Sequence, residues 1–191
     1  MGGQPAAESD PGSRLLALYE TALPQVYGYL LTRCGRPALA EDLTAETFLA
    51  AVDAIRGAGT PPVSTAWLIG VARHKLVDHW RARAREERGL RAVADPSTWT
   101  TPAGQPAGTV GAVEDPWDVY LDALRARDTL SRLAPQHRAA LTLRYLDDLP
   151  VGQVAGLLGR TVHATEALLV RARVAFRRDY TDHGGEGDGG G

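Results

Sequence analysis

The chain has 191 residues, a formal net charge of −2 and 44% hydrophobic residues, which suffices for one large or two small globular domains. The single cysteine excludes an intramolecular disulfide and an all-cysteine metal site. No apolar run approaches the roughly 18 residues that a membrane span needs, and the first residues lack the layout of a signal peptide, so we expect a cytoplasmic protein without membrane contact.

Charge is distributed unevenly along the chain. Residues 73–91 carry seven Lys and Arg against three acids, and residues 125–180 carry ten against five. Residues 92–124, in between, carry no Lys or Arg and five acids. Two basic blocks around an acidic spacer suit a protein that touches nucleic acid at two places, although solvated helix faces produce the same pattern.

Apolar periodicity predicts the first two helices. Residues 1–12 are small and polar and contain Pro and Gly, so we expect them to be disordered. Ser13 is predicted to cap a helix in which apolar side chains recur every three or four residues. Pro24 is expected to kink or divide that helix. Gly35 is predicted to end it, and a second helix begins near Pro37.

An acidic strip lies on the second predicted helix. Asp42 and Glu46 are one turn apart with Ala45 between them, and the apolar residues of the helix lie on another side. The spacing alone favours a solvated face, and a binding surface is the alternative.

The third predicted helix combines aromatic and basic residues. The Pro- and Gly-bearing stretch 57–66 cannot continue a helix, and Ser64 is predicted to start the next one, which runs from Trp67 to Arg85. Aromatic rings interleaved with cations are typical of single-stranded nucleic-acid binding, because bases stack on rings while cations contact phosphates. The alternative is that Trp67 and Trp80 are core residues.

A linker is predicted between the two halves of the chain. Residues 92–115 lose apolar periodicity and gain Pro, Gly, Thr and Ala, so they cannot bury enough surface to offset the entropy of ordering. Helices are then predicted to begin at Pro116 and Pro135. The second of these ends at Asp147 and Asp148, in a turn where Asp is favoured for its local hydrogen bonds.

Residues 151–176 have the pattern of a helix-turn-helix. A two-turn amphipathic helix ends at Gly159, where a positive φ is often needed, and Thr161 is predicted to cap a second amphipathic helix. That second helix would enter the DNA major groove. The alternative is an ordinary pair of helices that binds nothing. DNA binding is favoured by the arginines on or just beyond the second helix, namely Arg171, Arg173, Arg177 and Arg178.

The predicted fold is therefore all-α. It comprises two helical domains, 13–91 and 116–180, joined by the flexible linker 92–115, with flexible ends at 1–12 and 181–191. No phosphate-cradling loop, metal-binding spacing or catalytic constellation is recognisable in the sequence. We therefore expect no enzyme activity, no cofactor, no metal ion and no small-molecule substrate.

Three segments, taken in order, resemble the extracytoplasmic-function (ECF) class of bacterial RNA polymerase sigma factors. Ala40–Val52, read as AEDLTAETFLAAV, is similar to the region that binds the polymerase clamp helices. Ala66–Arg85, AWLIGVARHKLVDHWRARAR, is similar to the segment that melts the promoter and recognises the minus-ten element. Leu133–Phe176 looks like the C-terminal domain that reads the minus-thirty-five element. Three motifs in this order are far more specific than the helix-turn-helix alone.

The resemblance implies core RNA polymerase and promoter DNA as partners, and it implies roles for individual residues. Contacts to the polymerase would come from Asp42, Ala45 and Glu46. Contacts to the minus-ten element would come from Ser64, Arg73, His74, Arg81, Arg83 and Arg85, with the loop 57–66 capturing a flipped base. Contacts to the minus-thirty-five element would come from Arg160, Thr161, His163, Ala164, Glu166, Ala167, Arg171 and Arg173. The linker would thread along the polymerase channels.

The chain departs from the family pattern in both halves. Ala45 stands where Gln is usual, and His74 where Asn is frequent. In the recognition helix Glu166 and Leu168 replace Lys and Arg, which removes two cations where phosphate or guanine contacts are expected.

Two ways of using this recognition helix stay open. It either reads DNA through Arg160, His163 and Arg171, or binds DNA weakly and serves a regulator. An anti-sigma protein is the regulator that an apolar outer face near Leu168 and Val170 suggests.

Two other functions fit parts of the sequence. One is a one-domain helix-turn-helix regulator with an N-terminal helical effector domain, which would not initiate transcription with core polymerase alone. The other is a helical adaptor that binds only protein, which would show no salt-dependent association with DNA.

Overall fold

The computed structural model describes residues 10–57, 61–92 and 116–182, and the regular structure within these ranges is entirely helical. The helices are α1 (Pro11–Cys34), α2 (Pro37–Arg56), α3 (Thr65–Ala92), α4 (Pro116–Arg132), α5 (Pro135–Leu141), α6 (Val151–Leu158) and α7 (Val162–Asp182). The predicted all-α fold is confirmed. The predictions for residues 1–9, 58–60, 93–115 and 183–191 lie outside the described residues.

Helix α1 differs from its prediction at two points. It begins at Pro11, with Asp10 at the N-cap position, so Ser13 lies inside the first turn and does not cap the helix. A proline at the first position is favourable because its fixed φ is already helical. Pro24 does not divide α1, because this proline lies on the exposed side and buried Ala22 and Val26 hold the helix against its neighbours.

Two predicted helix boundaries are confirmed, and a third is wrong. Gly35 ends α1 in the left-handed conformation, with φ of 65°, and α2 begins at Pro37. Helix α3 continues to Ala92, well past Arg85, where the sequence pattern predicted its end. The extra turns lack apolar side chains on the core face, so periodicity does not reveal them.

In the N-terminal half, α1, α2 and α3 pack against one another in all three pairs. Leu30, Leu43, Leu68 and Leu76 are each at most 2% exposed at the centre of this bundle. Burying side chains of this size contributes about 1.5–3 kcal/mol each, so the bundle has a substantial core.

In the C-terminal half, α5 continues into a π-helical turn, Thr142–Leu146, before α6 and α7 form the helix-turn-helix. Its core contains Leu143, Val154 and Leu168. The π-helical turn was not predicted, since no sequence pattern distinguishes it from α-helix.

The two halves are in contact, and α3 is the helix that both share. It packs against α1 and α2 on one side and against α5 and α6 on the other. The buried apolar residues of both halves consequently form one continuous cluster. Asp42 and Glu46 remain exposed outside that cluster.

Candidate polymerase and nucleic-acid interfaces

The acidic strip, defined as Asp42, Ala45 and Glu46, lies on the outward face of α2. All three residues are exposed, while Leu43 and Thr47 on the opposite face are buried. The Lys75 Nζ atom lies 3.8 Å from the Glu46 carboxylate, and the rest of the strip faces solvent. An exposed pair of carboxylates one helical turn apart can bind a cationic surface.

A groove between α1 and α2 adjoins the acidic strip. It has a volume of about 430 Å³ and includes Ala45 in its lining. The rings of Tyr19 and Phe48 meet edge to face in it, with centroids 5.1 Å apart. An apolar, aromatic groove beside a charged strip is typical of a protein-binding surface.

The start of α3 borders a second groove. Ser64 caps the helix, because its Oγ accepts a hydrogen bond from the Trp67 backbone N–H at 3.2 Å. Trp67 is half-buried and lines the groove together with His74 and Lys75. A partly exposed aromatic ring beside basic side chains fits base stacking next to phosphate contacts. Trp80, in contrast, is buried, in agreement with the core alternative.

The remaining basic residues of α3 divide into exposed and engaged groups. Arg83 and Arg85 are exposed, and Arg81 is exposed but lies 3.4 Å from the Asp78 carboxylate. Arg73 is engaged, because its Nε donates to Asp147 at 3.2 Å. Burial and the nearby Arg83 charge lower the pKa of His79, so this ring adds little positive charge at neutral pH.

The helix-turn-helix has the predicted local geometry. Gly159 adopts φ of 62° at the end of α6, and the Thr161 Oγ1 accepts a hydrogen bond from the Ala164 N–H at 3.2 Å to cap α7. Arg160 is half-buried, with its guanidinium 3.3 Å from the Gln136 Oε1. These contacts fix the angle at which α7 leaves the turn.

The outer surface of α7 carries few free cations near its start. His163 and Glu166 are exposed and 4.0 Å apart, and Ala167 is exposed beside them. Arg171 and Arg173 are exposed one to two turns further on. The surface is therefore mixed in charge at the N-terminal end and basic beyond it.

The expected apolar outer face near Leu168 is wrong for that residue. Leu168 is 1% exposed and packs in the core, because its position on α7 faces α6 and α5 rather than solvent. Val170 is 51% exposed, as expected, and it is joined on the surface of α7 by Val162 and Val174.

A cleft of about 580 Å³ lies between the halves, and we refer to it as the central cleft. Arg81, Arg85 and Arg88 line it from α3, and Arg160 lines it from the helix-turn-helix. A β-carbon built on Gly159 would lie 2.8 Å from the Arg81 guanidinium, so α3 touches the turn itself. Residues predicted to contact two separate promoter elements thus share one cleft.

Asp147 forms the other polar junction between the halves. Its side chain is 1% exposed and accepts hydrogen bonds from Arg33 at 2.8 Å, Tyr29 at 2.9 Å and Arg73 at 3.2 Å. Burial, followed by the Asp147 charge, raises the pKa of Tyr29 to about 12. The Arg33 guanidinium also lies 3.7 Å above the centroid of the Tyr29 ring.

Sequence patterns did not reveal this junction. Asp147 was predicted to make only local hydrogen bonds in a turn, but its partners lie 118, 114 and 74 residues away along the chain. Local patterns contain no signal for such pairs. The burial of the Asp147 side chain becomes visible only when the two halves are placed together.

The described residues contain no helix long and apolar enough to cross a membrane. The same part of the chain holds no cluster of three or more His, Cys, Asp or Glu side chains arranged to hold a metal ion.

Family models match both halves of the chain. Sigma-70 region 2 matches residues 18–86, and Sigma-70, region 4, matches residues 123–176. The first match contains the acidic strip and most of α3, and the second contains the helix-turn-helix. The fold and these surfaces therefore define a two-region sigma factor.

Individual relatives narrow the assignment from sigma factors in general to one class of them. The ECF RNA polymerase sigma factor SigL of Mycobacterium tuberculosis is 31% identical over 159 residues, which cover 82% of this chain and 81% of SigL. The ECF RNA polymerase sigma factor BldN of Streptomyces coelicolor is 33% identical over 175 residues, which cover 87% of this chain and 59% of BldN. The chain belongs to the ECF family of RNA polymerase sigma factors.

Among solved structures, one match is the sigma factor RpoE in complex with the anti-sigma factor NepR from Bartonella quintana. It has a TM-score of 0.49 and 20% sequence identity, and the match covers 87% of this chain and 95% of that one. The alternative of a one-domain helix-turn-helix regulator is not favoured, because the N-terminal half also matches a sigma region.

Proposed function

We propose that this sigma factor, which directs core RNA polymerase to its promoters, binds the polymerase through the outward face of α2. The exposed acidic strip carries this proposal. Asp42, Ala45 and Glu46 face solvent together on one side of α2, and Leu43 and Thr47 are buried on the other side. The neighbouring groove of Tyr19 and Phe48 supplies apolar area for the same contact.

In this proposal α3 contacts the minus-ten element. Trp67 and His74 border a groove that accepts an unstacked base, and Arg83 and Arg85 lie exposed further along the helix for the phosphates. Ser64 fixes the start of α3 next to the loop expected to hold a flipped base. Arg73 and Arg81 join this surface once their contacts to the C-terminal half are released.

Helix α7 contacts the minus-thirty-five element in the same proposal. His163 and Ala164 lie in its first turn, where base edges are read, and Thr161 and Arg160 come just before it. Glu166 and Ala167 follow on the exposed face, and Glu166 is suited to accept from cytosine N4. Arg171 and Arg173 supply phosphate contacts. The exposed Val162, Val170 and Val174 offer an anti-sigma protein an apolar surface on this helix.

The assigned residues divide into regions that follow the family matches. We assign 13–91 to polymerase and minus-ten binding and 116–180 to minus-thirty-five binding, with 92–115 as the linker between them. The factor acts in the cytoplasm, where RNA polymerase is, and has no catalytic turnover of its own.

The polymerase contact is tested by charge reversal. The double variant Asp42→Lys, Glu46→Lys is expected to lose binding to core polymerase in a pull-down, while its circular dichroism stays that of the wild type, because neither side chain is buried. The matched control is Asp148→Lys, Asp182→Lys, which changes the net charge equally at exposed positions of the C-terminal half. Wild-type affinity in the folded Asp42, Glu46 variant would refute the assignment.

A further inference from the structure

We propose that the central cleft is a binding site for a small molecule that carries a chain of phosphate groups. Four arginines line this cleft, three from α3 and one from the turn of the helix-turn-helix. Its volume of about 580 Å³ lies within the range of about 300–1,000 Å³ that is usual for small-molecule sites. The proposal concerns binding alone, so it stands or falls independently of the proposed function.

The arginines of α3 form a row along one wall of the cleft. Arg81, Arg85 and Arg88 are spaced by four and then three residues, so they lie on one face of the helix. This stretch of α-helix measures about 10 Å, which is longer than a single phosphate group and suits a chain of them. Like charges at this spacing repel each other, and a polyanion bound along the row removes that repulsion.

Hydrogen bonds to the backbone orient two of these guanidinium groups. The Arg85 Nε donates to the Arg81 carbonyl at 3.3 Å, and the Arg88 Nε donates to the Ala84 carbonyl at 2.9 Å. Each bond uses a single N–H, so most of the donors of each guanidinium remain for a ligand. A carboxylate would neutralise the charge of an arginine that it orients, but a backbone carbonyl leaves that charge in place. The remaining N–H groups are those that bind phosphate oxygens in pairs.

Further donors come from the other side of the cleft and from its wall. The Arg160 Nη2 donates to the Gln136 Oε1 at 3.3 Å, and the Gln136 amide nitrogen is a donor as well. Trp80 also lines the cleft and is 3% exposed. Its Nε1 is a buried N–H donor without a hydrogen-bond partner among the described residues, which is rare in folded proteins. The lining therefore offers more donors than it has acceptors for.

The charge of the cleft is unbalanced. Among the described residues that line it, Asp78 is the one carboxylate; it lies 3.4 Å from Arg81, and its side chain is 68% exposed. Arg85, Arg88 and Arg160 form no ion pair with a carboxylate in the described part of the chain. A cleft with an excess of one charge and apolar walls concentrates its electric field on a bound ion of opposite sign. The apolar part of the lining includes Ala84, Ala139, Leu158 and Leu168.

Isothermal titration calorimetry of the full chain with tripolyphosphate, at constant ionic strength, tests the site. Arg88→Gln is expected to weaken binding about tenfold, because a hydrogen bond between charged groups is lost. The matched control is Arg83→Gln, which removes the same charge from an exposed position of α3 outside the cleft lining. Its affinity should change less than about twofold. Equal losses in the two variants would show only a diffuse attraction of anions to α3 and would overturn the proposal.

Two further variants test whether the ligand contacts both sides of the cleft. Arg160→Gln should also weaken binding about tenfold, and its combination with Arg88→Gln about a hundredfold, because the two arginines lie on different elements. Arg88→Lys keeps the charge but not the planar donor fork, so it should recover only part of the affinity. A folded Arg160→Gln variant with wild-type affinity would refute a site that spans the cleft. If Arg160→Gln does not fold, the comparison of Arg88→Gln with Arg83→Gln decides, since both of those positions are exposed.

The choice of ligand completes the test. Orthophosphate should bind at least about tenfold more weakly than tripolyphosphate, because a single phosphate group cannot contact the whole row, and equal affinities would overturn the proposal. Adenosine and guanosine triphosphates distinguish the two sources of a phosphate chain. Tighter binding of a nucleotide than of tripolyphosphate identifies a nucleoside polyphosphate, and equal binding identifies free polyphosphate. Failure of all three to bind would refute the site and would leave the pull-down with core polymerase unaffected.

Discussion

Gly159 is subject to two independent constraints, one from its backbone and one from a neighbouring helix. Its φ of 62° lies in the left-handed region, where a β-carbon comes too close to the following backbone carbonyl oxygen. The same β-carbon would lie 2.8 Å from the Arg81 guanidinium. The guanidinium is the far end of a flexible side chain and can move, so the backbone constraint dominates.

We therefore expect Gly159→Ala to lower the free energy of unfolding by about 1–2 kcal/mol. Gly156→Ala is the matched control, since Gly156 lies inside α6 with nothing within 4 Å of an added β-carbon. That substitution should raise the free energy of unfolding by about 0.5–1 kcal/mol. Urea denaturation of both variants measures the difference, and equal effects of the two substitutions would show that the turn tolerates a side chain.

Tyr29 is a second residue whose properties depend on its surroundings. Burial and the Asp147 charge both favour its protonated form, and the hydroxyl donates to that carboxylate at 2.9 Å. Its pKa of about 12 lies above the ordinary value of 10.0. The protonated hydroxyl therefore stabilises the folded chain fully below about pH 10, and this stabilisation is lost as the pH rises from about 10 to about 12.

Alkaline titration followed by phenolate absorbance should show this shift. The wild type minus Tyr29→Phe difference isolates one of the six tyrosines and should give a midpoint near pH 12 or coincide with unfolding. The free energy of unfolding should fall more steeply above about pH 10 in the wild type than in Tyr29→Phe. A difference curve centred at pH 10 would contradict the buried contact with Asp147.

At the scale of the helices, capping explains where sequence patterns succeeded and where they failed. Ser64 and Thr161 follow turns that a helix cannot cross, and each caps the helix after it, as predicted. Ser13 has the same residue chemistry, but Pro11 starts α1 two residues earlier. The sequence is compatible with a start at Pro11 and with a cap at Ser13, and the structure has the start at Pro11.

The two cap predictions can be compared directly. Thr161→Ala removes the acceptor for the Ala164 N–H and should lower the free energy of unfolding by about 1 kcal/mol. Ser13→Ala, within the exposed first turn of α1, should be neutral or slightly stabilising because alanine is the better helix former. Thermal unfolding of both variants is the measurement, and a comparable loss in Ser13→Ala would restore the original prediction for that residue.

The elements and the functional surfaces differ in how far sequence could predict them. Proline, glycine and apolar spacing predicted most helix starts and the exposed acidic strip, because these depend on neighbours within about two turns. The π-helical turn could not be predicted, because no sequence pattern distinguishes it from α-helix. The partners of Asp147 could not be predicted, because they lie more than 70 positions away along the chain. Leu168 was misplaced for a related reason, since both faces of α7 carry apolar side chains and only the packing against α6 selects one.

At the scale of the whole molecule, the single cysteine lies where the halves meet. Cys34 is 1% exposed at the end of α1, next to the contact between Gly35 and Ser131 of α4. Burial raises the pKa of the Cys34 thiol, and the Arg138 charge from α5 opposes this rise only in part. The thiolate is the reactive form of cysteine. Burial therefore slows the reaction of Cys34 with thiol reagents in two ways, because it disfavours the thiolate and restricts access to the sulfur.

The reactivity of Cys34 should therefore report separation of the two halves. We expect the thiol of the wild type to react with a disulfide reagent at least about tenfold more slowly than that of the unfolded chain, because thiolate formation and access are both restricted. Asp147→Lys should accelerate the reaction, since moving α4 and α5 away exposes the end of α1, and Asp148→Lys should not. An equally slow reaction in an Asp147→Lys variant that scattering shows to be expanded would mean that the N-terminal bundle alone buries Cys34. The continuous cluster of buried residues would then consist of two cores that touch but do not depend on each other.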